Sequence, residues 1–300
     1  EVILGDITNL FFSYPKLEGI TNATVNLNKI NDQFSLNINS AINQFSFNST
    51  LLGNTTVNAA YDDKTGIVPF DLNCPNSSYH LAAKGIYAIK DSLNPLDATL
   101  TLQESDFGLI QEFIGGVLTD LKGKATGAIH FGGRIENPDL RGEATIKDAS
   151  FKVDYTKVNY FLPTATLAFT DEGIDFGMIQ VKDKFNRVAQ FKGKILHQKF
   201  KHLVYDMDMQ SSKIELLNTN VIDNSSFYGQ AVGKASMTIR GPEENIKMSI
   251  NAEVNDSSHI YLPNATSKET GQSEFIVFKK LGKSIISNAE KPTFNLVVDL

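Results

Sequence analysis

The residues able to bind a metal ion or to act as acid–base catalysts are few and scattered in this chain. No two histidines have the i, i+4 spacing that puts two metal ligands on one face of a helix. We interpret all of them as solvated or hydrogen-bonded surface residues: His80, His130, His197, His202 and His259.

Two groups of carboxylates could in principle hold a cation. Asp206 and Asp208 alternate with Met207 and Met209, so on a strand the carboxylates share one face and the methionines the other. We interpret the aspartate pair as solvent-facing. The Asp-Asp-Lys sequence at 62–64 resembles part of a calcium loop but lacks the remaining ligand positions.

Nucleophile and phosphate-binding motifs are missing from the sequence. Cys74 precedes Pro75 in a polar turn with no candidate base nearby, and a single thiol excludes both an internal disulfide framework and a cysteine-based zinc site. There is no phosphate loop, no nucleophile elbow and no His-Glu-x-x-His. We therefore expect no enzyme activity and no cofactor. A polysaccharide-acting β-helix enzyme stays open as an alternative, because its carboxylates need not be close in sequence.

Composition narrows the class of protein further. The 300 residues include 28 Lys and Arg against 34 Asp and Glu, a net charge of −6, which argues against a nucleic-acid binder and against polybasic attachment to anionic lipid. No apolar run approaches the ~18–20 residues of a membrane-spanning helix. Both ends of the sequence resemble the middle of a strand, so we expect the chain to be part of a longer protein.

Alternation of apolar and polar residues is the dominant pattern. It recurs at 23–27, 34–38, 98–102, 165–169, 174–178, 205–209 and 248–254, and predicts strands with one apolar and one polar face. Reversals are predicted at 62–66, 131–133 and 171–173. Strand-like segments follow every 10–14 residues, which favours consecutive hairpins, and loose Gly-spaced repeats favour an elongated stack of strands.

Two segments depart from this pattern. Apolar residues between Ser105 and Leu121 follow one helical face, which predicts a short amphipathic helix with Ser105 as its N-cap, and a second helix is predicted within 275–286. The apolar sets of 144–146 and 151–155 have opposite parity, which predicts a β-bulge near Asp148. These patterns divide the chain into a β-segment over 1–104, the helix over 105–121 and a second β-segment over 122–300.

The sequence between about 97 and 300 resembles the TamB family, a group of AsmA-like, bridge-like lipid transfer proteins. The first block that carries the resemblance consists of 127–133, 137–142, 148–151 and 159–160, a Gly-rich strand, a Pro-x-Leu-x-Gly turn and a strand that ends near an aromatic residue. A second block resembles the bacteroidete members and consists of 217–219, 223–229, 241–242 and 260–263.

The resemblance implies an all-β fold, an elongated curled sheet of stacked strands that forms an open apolar groove. It implies a periplasmic bridge in a Gram-negative bacterium, anchored in the inner membrane by an N-terminal helix outside this chain, that conducts phospholipid toward the outer membrane. It also implies a BamA-like barrel partner of the TamA type. The groove lining is predicted to comprise Ala144, Ile146, Phe151, Val153, Leu167, Phe169, Ile174, Phe176, Met207, Met209, Met237, Ile239, Met248 and Ile250.

Two alternatives accompany this hypothesis. Alternation alone is equally typical of a two-layer sandwich, in which a second sheet covers the apolar face. The chain could also be a scaffold that assists outer-membrane protein assembly through exposed strand edges.

Overall fold

A computed structural model gives the fold of the chain. The residues that it describes are 2–9, 16–30, 33–48, 50–75, 78–110, 118–134, 137–198, 201–242, 245–263 and 295–298. The second predicted helix, within 275–286, lies outside these residues.

Strands dominate the described residues. The first part of the chain forms β1 (Val2–Ile3), the short helix α1 (Leu4–Thr8), β2 (Leu17–Ile30), β3 (Gln33–Phe47), β4 (Thr50–Asp62), β5 (Ile67–Pro75), β6 (His80–Ala88), β7 (Leu96–Asp106) and a 3-10 turn at Phe107–Ile110. The remainder forms β8 (Leu118–Arg134), β9 (Asn137–Val153), β10 (Val158–Phe169), β11 (Gly173–Asp183), β12 (Val188–Gln198), β13 (Lys201–Thr219), β14 (Tyr228–Pro242), β15 (Lys247–Val254), β16 (His259–Tyr261) and β17 (Asn295–Val298).

The strands form one curled, unclosed sheet, and strand residues make up 79 % of the described residues. From β2 to β15 each strand pairs antiparallel with the next, as short hairpin connections require. β1 pairs with the start of β2, β16 with the start of β14, and β17 runs parallel to β15. The expectation of an elongated all-β sheet is therefore confirmed.

The helix predicted over Ser105–Leu121 is wrong at both of its ends. Ser105 lies in β7 and donates its hydroxyl to the His80 carbonyl at 2.5 Å, so it caps no helix. Leu121 lies in β8, and among the described residues of this segment only 107–110 are helical. Residues 111–117 lie outside the described part of the chain. Pairing of β8 with β7 and β9 outweighs the local helical periodicity, and the sheet runs across the predicted segment boundaries.

Two of the three predicted reversals are confirmed. Residues 63–66 turn between β4 and β5, with Gly66 at φ +69°, and residues 170–172 turn between β10 and β11. The reversal predicted at 131–133 is wrong, because β8 continues through these residues to Arg134.

Bulges bend the strands along one continuous line, here called the fold line. Asp148 has φ +50° opposite a register shift in β8, which confirms the predicted bulge. Similar shifts interrupt β3, β7 and β13. A bulge inserts one extra residue into a strand, so apolar residues of opposite parity before and after it lie on the same face of the sheet. It also increases the local twist, which accounts for the curl of the sheet. The buried side chains of the fold line include Ile42, Cys74, Ser105, Ile146, Ala149, Leu162, Val181, Ala189 and Ile214.

Candidate functional site: an apolar concave face

One row of cross-strand neighbours crosses the sheet from β2 to β14 without a charged side chain. Paired residues of adjacent strands point to the same side of a sheet. This groove row consists of Ala23, Ser40, Val57, Leu72, Ala83, Leu100, Ile129, Gly142, Phe169, Ile174, Ile195, Tyr205 and Gly241. A second uncharged row lies beside it from β2 to β9, formed by Val25, Ile38, Ala59, Phe70, Gly85, Ala98, Phe131 and Leu140.

The exposure of the groove row separates it from a protein core. Within the row only Ile129 is fully buried, and most of the other side chains are half-buried. The central face of a two-layer sandwich would be buried throughout, because the facing sheet lies ≈ 10 Å away with its side chains interdigitated. Within the described part of the chain, this face therefore offers apolar surface that is left partly uncovered.

Strand pairing makes several of the sequence-predicted lining residues cross-strand neighbours on the face of the groove row. The pairing places Met209 beside Met237 and Met207 beside Ile239. The other cross-strand neighbours are Ala144 with Leu167, Phe169 with Ile174, Met237 with Ile250, and Ile239 with Met248. The side chain of Met248 is not among those that the structure describes. Phe176 sits at the bulge of β11, where its ring contacts Phe191 with the centroids 6.0 Å apart.

Burial divides this predicted set into two groups. Ala144 and Ile146 are only 5 % and 3 % exposed and belong to the fold line, where they are surrounded by the chain itself. Phe151 packs against the same core. The described side chains on β10, β11, β13, β14 and β15 are half-buried and stay open on the concave side. Leu167 and Met209 of this second group pack with one side against the same core as Phe151, and a ligand has access to the part of their surface that stays exposed.

The curl is tightest between β10 and β13. Beyond the end of the β11–β12 hairpin these two strands meet directly, although they are not neighbours in the sheet. The Tyr160 hydroxyl donates to the Glu215 carbonyl at 2.8 Å, and the Asn218 amide donates to the Thr156 carbonyl at 2.9 Å. Burial, together with the Glu215 and Asp183 carboxylates, raises the pKa of Tyr160 well above its usual range. The sheet itself stays unclosed, and this contact at one end of the strands is here called the β10–β13 closure.

A buried ion cluster, which the sequence analysis did not identify, holds this closure. The fully buried Asp183 carboxylate accepts from the Phe185 and Arg187 amides at 2.8 and 3.0 Å, from Arg187 Nε at 2.6 Å and from the Glu215 amide at 2.9 Å. The Glu215 carboxylate, 4 % exposed, lies 2.8 Å from Lys184 Nζ. The cluster therefore fixes the β11–β12 hairpin to β13.

The opposite, convex face is polar and carries ion pairs. Asp206 and Asp208 lie there as expected, and Arg240 contacts both at 3.1 and 2.7 Å. Lys194 pairs with Asp175 at 3.0 Å on the same face. No group of three or more potential metal ligands occurs among the described residues. The two aspartates are therefore held by an arginine within the sheet.

The histidines and the cysteine form no candidate catalytic site in the described structure. His130 lies 2.9 Å from Asp97, whereas His197 is buried rather than at the surface, and burial lowers its pKa. Cys74 is fully buried, and its thiol donates to the Leu52 carbonyl at 3.2 Å. A buried thiol of this kind is typical of a structural residue.

The predicted lining omitted the part of the concave face that β2 to β8 contribute. Val57, Leu72 and Leu100 continue the groove row into this half of the sheet. Their alternation with polar neighbours is visible in the sequence, but the parity that faces the groove follows only from the strand pairing.

Comparisons with protein families, with curated proteins and with solved structures identify no match. In the described residues, no helix is both long and apolar enough to span a bilayer. The fold and the site define a class of protein by themselves: an open, curled β-sheet with an apolar concave face and a charged convex face.

Proposed function

We propose that this chain forms part of a lipid conduit, in which the acyl chains of phospholipids lie along the groove row. The observation that carries the proposal is the uninterrupted, uncharged and partly uncovered row from Ala23 to Gly241. Its direction runs across the strands, along the long axis of the stacked sheet.

The physical task of such a groove is to keep hydrocarbon out of water. Two acyl chains of about 16 carbons each, at about 0.8 kcal/mol for every CH₂ group, cost on the order of 25 kcal/mol to expose. A continuous apolar surface lowers that barrier without a titrating group. The side chains of Met207, Met209 and Met237 are flexible and polarisable, which suits contact with mobile chains.

The resemblance to TamB-like proteins supports the same proposal from the sequence. On this basis we place the chain in the periplasm of a Gram-negative bacterium, within a bridge from the inner to the outer membrane. A BamA-like barrel is the partner that this assignment implies.

A charge placed in the groove should abolish lipid transfer. Met209 lies on the concave face and Gln210, the next residue, is exposed on the convex face. We expect Met209→Glu to lower the rate of transfer of a fluorescent phospholipid between vesicles at least tenfold, because a carboxylate on the concave face beside the groove row is costly to desolvate against hydrocarbon. Gln210→Glu adds the same charge on the opposite face and should leave the rate unchanged.

The same pair of variants also tests lipid binding. Mass spectrometry of the purified native chain should detect co-purifying phospholipid, which Met209→Glu reduces and Gln210→Glu retains. Equal transfer rates in the two variants, with circular dichroism unchanged in both, would count against the conduit.

A second candidate function rests on the edge of the sheet. The described strand pairing gives β2 a partner on its outer side only at Ile20 and Thr21, through β1, so 22–30 present an open edge. Such an edge accepts an added strand. A scaffold for barrel assembly would therefore bind a BamA-like barrel even when Met209→Glu blocks the groove.

A further inference from the structure

The β13–β14 loop carries the most exposed large apolar side chain among the described residues, at one end of the strands. Ile222 and Val221 at the tip of this loop are 92 % and 54 % exposed. The polar side chains of the loop are turned onto its own backbone instead. Asn220 Oδ1 accepts from the Ile222 amide at 2.8 Å, and Asp223 Oδ2 accepts from the Asn220 amide at 2.9 Å. The loop is thus ordered with its apolar residues outward.

Aromatic residues surround this loop at the same end of the sheet. Tyr155, in the β9–β10 turn, meets Phe227 edge-on with ring centroids 5.9 Å apart. Tyr228 stacks on its cross-strand partner Tyr261 at 5.2 Å. Tyr155 and Tyr261 are 46 % and 57 % exposed. Together with Val221 and Ile222 they form what is here called the apolar tip.

The cations near the apolar tip are all matched by carboxylates, and Asp223 in the β13–β14 loop adds a further negative charge beside Lys152. Lys152 pairs with Asp120 at 2.5 Å, and Lys157 pairs with Asp154 at 2.6 Å. Attraction to an anionic surface is therefore weak here, and any affinity of the tip has to come from its apolar and aromatic side chains.

We propose that the apolar tip inserts into the interfacial region of a zwitterionic lipid bilayer. Aliphatic residues at an apex with tyrosines behind them match the polarity gradient of that region, where tyrosine places its ring in the apolar layer and its hydroxyl in water. A stable protein interface needs about 800 Å² on each partner, and a convex apex of two aliphatic side chains offers much less. The proposal goes beyond the conduit function, since it does not require lipid in the groove.

Flotation with phosphatidylcholine vesicles tests the proposal. We expect the native chain to float with the vesicles, equally at low and at high salt, and the double variant Val221→Ser/Ile222→Ser to partition at least tenfold less. The matched control is Ile89→Ser/Leu93→Ser in the β6–β7 loop, which removes side chains that are 56 % and 75 % exposed at the opposite strand end. This control should float like the native chain.

The outcomes separate this proposal from its alternatives. A native chain that does not float, or a tip variant that floats as well as the native chain, overturns it. A third outcome is that the native chain does not bind vesicles but forms dimers in sedimentation, and that the tip variant abolishes these dimers. This outcome would assign the tip to contact with a second copy of the chain and would also overturn the proposal. The groove variant Met209→Glu should float normally, so failure of lipid transfer and failure of membrane docking are distinguishable.

Discussion

Replacing Asp183 with alanine should lower the free energy of unfolding by about 3–5 kcal/mol, the typical cost of breaking a buried ion pair by removing one partner. The truncation leaves the Arg187 guanidinium, whose side chain is 19 % exposed, without its carboxylate. It also leaves the amides of Phe185, Arg187 and Glu215 without their acceptor. Urea unfolding followed by far-ultraviolet circular dichroism measures the change.

Asp171→Ala is the matched control for this prediction. Asp171 makes a bidentate pair with Arg141 at 2.6 Å, but the two side chains are 59 % and 66 % exposed. Exposed pairs of this kind contribute about 0–1 kcal/mol. Similar losses of stability in the two variants would show that the buried ion cluster does not hold the β10–β13 closure.

The contribution of Asp183 should also depend on pH. Burial by itself raises the pKa of its carboxyl, but hydrogen bonds from the backbone amides and from Arg187 outweigh burial and hold the pKa below its usual range. A depressed pKa stabilises the fold above the unfolded value of about 3.9, and this stabilisation is lost as the pH falls through the lower folded value. The stability difference between the native chain and Asp183→Ala should therefore be constant near neutral pH and shrink below about pH 4. A difference that grew in acid would contradict this assignment.

The second large effect concerns the boundary between core and groove. Ile146→Ala should cost about 2–5 kcal/mol, because Ile146 is 3 % exposed among Ala149, Leu162 and other side chains of the fold line. Ile195→Ala should cost about 1 kcal/mol, since Ile195 is a half-buried member of the groove row and loses less apolar contact. Parallel urea titrations of the two variants measure both values.

This comparison uses the same substitution on the same concave face. If a further layer of the chain covered the groove row, Ile195→Ala would cost as much as Ile146→Ala, and the open groove would be wrong. Ile146→Glu is consequently expected to unfold the chain, which makes Met209 the better position for testing lipid transfer.

The all-β meander followed from the sequence because period-two alternation is a local property, and each hairpin places its strand beside the one before. The bulge at Asp148 followed as well. Apolar residues change from even to odd positions within one strand, and an inserted residue is the usual way to keep them on one face. The helix over 105–121 failed at its two ends because Ser105 pairs with Ala125 and Leu118 pairs with Val153 in the sheet.

Part of the predicted groove lining was assigned to the concave face from alternation alone. Alternation does not distinguish a residue at the bend from one on the open part of a strand, so Ile146 and Met209 look equivalent in sequence. The buried ion cluster escaped detection for a related reason. Asp183 and Glu215 are 32 positions apart, and nothing local marks either one as buried.

By itself, then, the sequence determined the strand pattern, the segregation of apolar and polar residues to two faces, and the scarcity of catalytic groups, because each of these depends on residue type and short-range spacing. Only the tertiary structure decided which apolar side chains are enclosed at the fold line, which remain open, and where β10 closes onto β13. These features depend on how far the sheet curls, and that curl is the sum of small bends contributed by strands far apart in the chain.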